Sequence, residues 1–282
     1  MLRVCIVGIG LIGGSLAKSM RTNGFSGKII GVDNNPENIK VAMYMGLADE
    51  FMSLEEAVEQ SDLIILCAPV DINRKLLPEI LDSIKGTKKV VTDMGSTKSD
   101  ISNAVASHPA RGRYVSAHPM AGTEFSGPAS AEASLFNRKV GIICDSESSD
   151  DDALQLVKAL FKSFNMRIQL MNSTDHDVHV AYVSHISHIT SFALALCVID
   201  KEKDEKNILS LAGGGFESTV RLSKSNAETW APIFLGNSDS LLEVIDTYIS
   251  KMNLFRKYIE EKNAEELKNL MRSANAVTRI LN

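Results

Sequence analysis

A run of β-branched residues at 3–7 feeds directly into Gly8-Ile9-Gly10-Leu11-Ile12-Gly13, and a helical pattern follows at once. In such a turn the first glycine permits the tight bend and the second lets backbone approach a pyrophosphate. The third allows close helix–strand packing, while the helix N-terminus offers free N–H groups to the anion. Glycine-rich turns also arise for purely structural reasons, so the pattern gains its meaning from context. Here it lies between a strand and a helix, and Asp33 ends the next β-branched run. Asp33 would accept hydrogen bonds from ribose hydroxyls and repel a 2′-phosphate, and Asn34-Asn35 follow where a phosphate-tolerant site would offer arginine. NAD is therefore the expected cofactor, in preference to NADP. Asp33 also suits a helix cap before Pro36, and both roles can hold.

Three further segments carry polar chemistry. Cys67-Ala68-Pro69-Val70 ends a strand at the carboxyl edge where open α/β sheets bind ligands, so Ala68 and Pro69 join the cofactor candidates. Asp93-Met94-Gly95-Ser96-Thr97-Lys98 marks a second edge turn, with Ser96 readable as a ligand contact or as a helix cap. Ser116-Ala117-His118-Pro119-Met120-Ala121-Gly122-Thr123-Glu124 places a histidine between a strand end and a proline turn. Imidazole titrates near neutrality, as a proton acceptor paired with a departing hydride should, although a lone histidine is often structural. Later, Gly213-Gly214-Gly215-Phe216 leads to Arg221, a planar fork suited to a carboxylate, and then to Trp230, a core or interface anchor.

Four of the six histidines (His176, His179, His185, His188) fall within one helical pattern. At about 100° per residue, the first two lie about 180° from the second two. One straight helix cannot aim all four at one ion, so no metal site is expected. His185-Ile186-Ser187-His188 is expected to turn one imidazole into a cleft and leave the other for packing.

The elements that must hold these residues divide the chain in two. Strands are expected at 3–7, 28–32, 63–68, 89–92, 114–117, 139–144 and 167–170, with helices near 12–23, 36–45, 71–84, 97–106 and 151–164. The alternation implies a doubly wound α/β dinucleotide-binding domain over residues 1–172, with continuous apolar strands buried on both faces of a parallel sheet. Residues 173–282 read as all-helical, from a long helix capped by Ser173 or Thr174 and ending near Asp200, through a charged turn at 201–206. Further helices are expected at 207–212, 216–225 and 238–281, and a helical second domain suits dimerisation. Hydrophobic residues at 44% support a substantial core, and a net charge of −5 excludes a global drive toward nucleic acid or an anionic membrane. Four separated cysteines, no signal-peptide layout and no uninterrupted apolar run of membrane length imply a cytoplasmic protein.

GIGLIGGSLA, DMGSTK, AHPMAGTEFSG, SHISH and GGGFESTVR, in that order, resemble the prephenate dehydrogenase family of tyrosine biosynthesis over about residues 3 to 236. The resemblance implies NAD-linked oxidative decarboxylation of prephenate in a homodimer built through the helical domain. It further implies that His118 takes the ring-hydroxyl proton and that Ser96 contacts that hydroxyl, the histidine and the nicotinamide region. His188 is implied to position substrate, Arg221 to hold its carboxylate, Gly215 to belong to the substrate-binding segment and Glu124 to gate the pocket. Two departures stand out: Glu217-Ser218 replaces a usual basic–acidic pair, and Ser187 replaces proline. The first opens the alternative of arogenate as substrate. From the sequence itself, neither a fused mutase segment nor a regulatory domain is expected. Two rivals are a hydroxy-acid or imine dehydrogenase working through Lys98, and a non-catalytic NAD sensor.

Overall fold

The computed structural model describes residues 1–281, with side chains to Arg279. Eight strands form one sheet: β1 (Arg3–Val7), β2 (Lys28–Val32), β3 (Glu50–Phe51), β4 (Leu63–Leu66), β5 (Val90–Asp93), β6 (Tyr114–Pro119), β7 (Val140–Cys144) and β8 (Arg167–Met171). Their order is β3-β2-β1-β4-β5-β6-β7-β8, which places the switch in winding between β1 and β4. Helices α1 (Leu11–Thr22), α2 (Pro36–Tyr44), α3 (Leu54–Gln60), α4 (Val70–Ser83), α5 (Ser99–Ala104) and α6 (Asp151–Ser163) connect the strands. Alternate residues of β1 show why both faces must be covered. Val4 and Ile6 pack with Leu16, Ala17 and Met20 of α1, whereas Cys5 and Val7 pack with Leu77, Ile80 and Leu81 of α4. The sheet is a doubly wound dinucleotide-binding fold.

Several features differ from the sequence expectation, among them the two-residue strand β3, which lies outside the expected strands. Strands β6 and β7 pair antiparallel, with His118 opposite Ile142, so the sheet is mixed. Parallel pairing needs a long crossover, usually a helix; residues 120–139 contain only a short 3₁₀ turn, and the chain returns directly. Helix α3 is absent from the expected elements although Ser53 and Glu56 form a reciprocal capping box at its start. Asn172, not Ser173 or Thr174, caps the first helix of the C-terminal part by accepting from the Asp175 N–H.

After Met171 the described residues form helices only. Helix α7 (Ser173–Val180) continues through a π-helical segment (Ala181–His185) into α8 (Ile186–Asp204), which absorbs most of the expected charged turn. Helices α9 (Gly214–Val220) and α10 (Ala227–Gly236) follow, then α11 (Ser238–Glu260), α12 (Ala264–Ala274) and α13 (Thr278–Leu281). Helix α10 lies outside the expected helices, and the single 238–281 helix is broken where Lys262 adopts a positive φ of 49°. The chain falls into two compact units, Met1–Asn237 and a second that begins at Ser238. The first therefore holds the sheet together with α7 to α10. By length and composition the continuous helix Ser173–Asp204 could cross a membrane, and little of its apolar window is buried in the single chain.

Candidate active site

The glycine turn after β1 is shaped by its neighbours. Gly8 has a φ of 90°, and a Cβ there would lie 2.7 Å from the Ala68 nitrogen and 2.8 Å from the Cys67 carbonyl carbon. The Cys67-Ala68-Pro69 segment is itself pinned by buried Asn73, whose Nδ2 donates to the Ala68 carbonyl at 2.9 Å. At Gly13 a Cβ would meet the Gly8 carbonyl oxygen at 2.1 Å, so only glycine lets α1 approach the turn. Gly10 differs: a Cβ there would meet nothing within 4 Å, and as N-cap it offers no side chain to the first-turn amides. Leu11 and Ile12 open α1 and pack partly against the core. Asp33, at the end of β2, accepts from the Ile9 N–H at 2.9 Å and from the Asn35 N–H at 2.9 Å, while Asn35 caps α2. An open backbone cradle, uncapped helix amides and a carboxylate at the end of the second strand fit a dinucleotide's pyrophosphate and ribose.

A buried polar network holds the adjacent turn. Lys98 is fully buried and its ammonium pairs with Asp93 and donates to the Ala117 carbonyl at 2.8 Å. Asp93 also accepts from the Tyr114 hydroxyl at 2.6 Å and from the Gly95 N–H at 2.9 Å. A Cβ on Gly95 would press on Asp93 and Val70. The ion pair thus ties the turn bearing Ser96 to the strand bearing His118. A buried ion pair is weak evidence of net stability; here its geometric effect is the link between turn and strand. A lysine so committed is unsuited to act as the reactive amine of the rival dehydrogenase reading.

His118 is the penultimate residue of β6, nearly buried. Its Nδ1 lies 2.8 Å from Nε2 of His176, whose Nδ1 lies 2.8 Å from Oδ1 of Asp177. Asp177 also accepts from the backbone N–H groups of Lys98 and Ser99, each at 2.8 Å. Burial holds His118 well below the usual imidazole range, and His176, Lys98 and His185 push it further down. Burial likewise lowers His176, against the upward pull of Asp177. For Asp177, burial would raise the carboxyl, but the His176 and backbone hydrogen bonds overcome it and the net shift is downward. The resting state is a neutral histidine pair ending on a carboxylate.

The π-helical segment explains why more histidines converge than a straight helix allows. A π turn accommodates one extra residue, so the following helix is rotated by about 100° relative to a continuous α-helix. His176, His185 and His188 are all buried. The straight-helix premise is thereby corrected. Among the described residues no group of three or more His, Cys, Asp or Glu could hold a metal ion. His185 is hydrogen-bonded by Nδ1 to Asn237 at 3.3 Å, and burial pushes its ring down to about 4. His188 donates from Nδ1 to the Ser184 carbonyl at 3.3 Å and stacks on Trp230 with ring centroids 3.3 Å apart. Burial lowers His188 and nearby Arg221 adds to that effect.

Arg221 follows α9 and reaches Glu124, with Nη1 and Oε2 2.6 Å apart. Arg221 is half exposed while Glu124 is largely covered. The Glu124 carboxyl lies below its ordinary range because it accepts from its own backbone amide and pairs with Arg221. Gly215 and Glu217 sit on the exposed first turn of α9. The residues missed from sequence are Asn73, Asp93, His176, Asp177 and Asn237. Only the adjoining His176-Asp177 pair carries a readable signal.

The fold and this site define a dinucleotide-dependent dehydrogenase whose acid–base group sits where the sheet meets a helical second part. Residues 16–170 match the nucleotide-binding domain of prephenate dehydrogenase, and residues 172–273 match the prephenate dehydrogenase dimerization domain. The chain is 31% identical over 269 residues to the prephenate dehydrogenase of Bacillus subtilis (strain 168), covering 94% of this chain and 72% of that protein. It superposes with a TM-score of 0.87 on prephenate dehydrogenase from A. aeolicus in complex with hydroxyphenyl propionate and NAD+, at 31% identity, covering 100% of this chain and 99% of that one. Synechocystis arogenate dehydrogenase gives a TM-score of 0.76 at 25% identity, with both chains fully covered. The chain belongs to the prephenate dehydrogenase family.

Proposed function

We propose that this enzyme oxidatively decarboxylates prephenate to 4-hydroxyphenylpyruvate with NAD, using His118 as the proton acceptor. The observation that carries the reading is a nearly buried imidazole near the carboxyl end of β6 with Nδ1 already engaged. Its Nε2 is the nitrogen left for a substrate hydroxyl. NAD supplies the hydride acceptor, and Gly8, Gly10, Leu11, Ile12, Gly13, Asp33, Ala68 and Pro69 are the residues that would hold it. His118 takes the hydroxyl proton as the C–H electron pair leaves the same carbon as hydride. The C–CO₂⁻ electron pair then enters the ring as carbon dioxide departs, and His118 returns its proton to the phenolic oxygen, so charge balances. General-base help of this kind contributes about 100- to 10,000-fold.

Ser96 adjoins this site on the turn fixed by Asp93 and is assigned to the substrate hydroxyl and nicotinamide region. Arg221 receives the side-chain carboxylate, either in exchange for Glu124 or with its guanidinium divided between the two. His188, held flat by Trp230, positions the ring. The homodimer is assigned to the helical part. Support comes from Leu194, Leu196 and Ile199 on α8, and from Leu209, Leu211 and Leu235 beyond it, all exposed in the single chain. Four free cysteines fit a reducing cytoplasm. Steady-state kinetics with prephenate and arogenate, each with NAD and NADP, test the proposal. Prephenate with NAD should give the highest kcat/KM; no turnover of either substrate would leave only a cofactor-binding role.

A further inference from the structure

We propose that His176 and Asp177 are positioning residues that set the tautomer of His118 and carry part of its charge once it is protonated. This assignment rests on the reading of His118 as proton acceptor and follows from donor–acceptor accounting along one chain of contacts. The Asp177 carboxylate already accepts from the Lys98 and Ser99 amides, which makes it an acceptor toward His176 as well. The proton between them must therefore sit on Nδ1 of His176. A neutral imidazole has one N–H, so Nε2 of His176 is bare and can only accept. At 2.8 Å from that bare nitrogen, Nδ1 of His118 must be the donor. Nε2 of His118 is then left unprotonated, the one state in which it can act as a base.

The same chain acts again after proton transfer. Protonated His118 keeps its Nδ1–H on His176, which can shift charge toward Asp177 without any side chain moving. The other charged and titratable groups acting on His118 are His185 of the π segment and Lys98, with Asp93 paired to Lys98 in the neighbouring turn. Of these only Asp93 is acidic, and it is committed to Lys98 and Tyr114. The anchoring amides of Lys98 and Ser99 come from the turn that also carries Ser96, so one carboxylate registers the helix α7 against that turn. The arrangement resembles the logic of a serine-protease triad, in which a buried carboxylate orients a histidine and selects its tautomer.

Asp177→Asn is the discriminating variant. Oδ1 of Asp177 accepts from His176 and from the Lys98 amide, and Oδ2 from the Ser99 amide. A carboxamide therefore either turns its NH₂ toward His176, which reverses the chain, or keeps its oxygen there without the negative charge that steadies protonated His118. Either outcome weakens Nε2 of His118 as a base, by protonating it or by removing the charge at the end of the chain. Turnover should slow by about 100-fold or more, while KM for prephenate and Kd for NAD change by less than about threefold. Added to His118→Asn, the same substitution should cost nothing further, because both act through one group. Independent losses that multiply, or NAD binding lost together with turnover, would overturn the proposal in favour of a structural role. Near-normal turnover of His118→Asn would instead defeat the reading of His118 itself. Nitrogen-15 NMR of histidine-labelled unmodified enzyme gives a second test without any variant: His118 should be the Nδ1–H tautomer, and an Nε2–H signal contradicts the proposal.

Discussion

Alanine at Gly13 should cost fold stability, whereas alanine at Gly10 should cost chiefly cofactor affinity. At Gly13 the added methyl would sit 2.1 Å from the Gly8 carbonyl oxygen and 2.9 Å from Ile6 Cγ2, so backbone must shift. Overpacking of this kind costs about 1–3 kcal/mol, and at about 2–4 °C per kcal/mol for a domain of this size the Tm should fall by about 2–12 °C. At Gly10 the methyl meets no protein atom within 4 Å. Exchanging glycine for alanine at an N-cap costs about 0.5–1 kcal/mol, so Tm should fall by no more than about 4 °C. That open space is where a pyrophosphate would accept from the α1 amides, each charge-assisted bond contributing about 1.5–3 kcal/mol. Losing one raises Kd by about tenfold or more. Thermal unfolding of the cofactor-free variants and calorimetric titration with NAD read the two effects separately. Normal NAD affinity in Gly10→Ala would refute the placement of the pyrophosphate, and an unchanged Tm in Gly13→Ala would refute the packing argument.

Other predictions concern charge. The His185 ring is lowered from 6.5 to about 4 in the folded chain, so the unfolded state binds the proton more readily between these values. Stability should fall as pH drops from 6.5 toward 4, by about 3 kcal/mol from this residue at about 1.4 kcal/mol per pKa unit; chemical denaturation of His185→Gln should show a shallower acid slope than the parent. Arg221→Lys loses the planar fork and leaves Glu124 with a weaker partner. Its kcat/KM for prephenate should drop about 10- to 100-fold, corresponding to a charge-assisted hydrogen bond of about 1.5–3 kcal/mol, while NAD affinity stays the same. Glu217→Lys should raise the prephenate-to-arogenate ratio of kcat/KM by about 1.4- to 5-fold, the equivalent of about 0.2–1 kcal/mol at an exposed site. An unchanged ratio places Glu217 outside substrate selection.

The glycine turn, the strand ends and the helical second part are legible because each rests on local pattern: β-branched runs, Gly spacing, and Asn35 before Pro36. The direction of β7 is legible too, once the lack of a helical pattern between Pro119 and Val140 is weighed against the crossover that parallel pairing demands. Helix α3 carries its own start signal in Ser53 and Glu56. The phase of the histidines is not readable in the same way. Residue counting at the α-helical period separates His176 from His185, and one π-helical segment undoes that count. The role of Asp177 depends on amides of Lys98 and Ser99, far away in the chain, which no local spacing reveals. Lys98 reads as a free edge lysine by composition, yet burial against Asp93 makes it part of the framework.

The most direct test of the proposed chemistry is the turnover of His118→Asn measured by two readouts at once, NADH formation and carbon dioxide release from prephenate. The unmodified enzyme should yield one carbon dioxide per NADH. The variant should bind NAD normally while both rates fall together by about 100- to 10,000-fold. Retention of near-normal rates, or NADH formed without matching carbon dioxide, would contradict that chemistry.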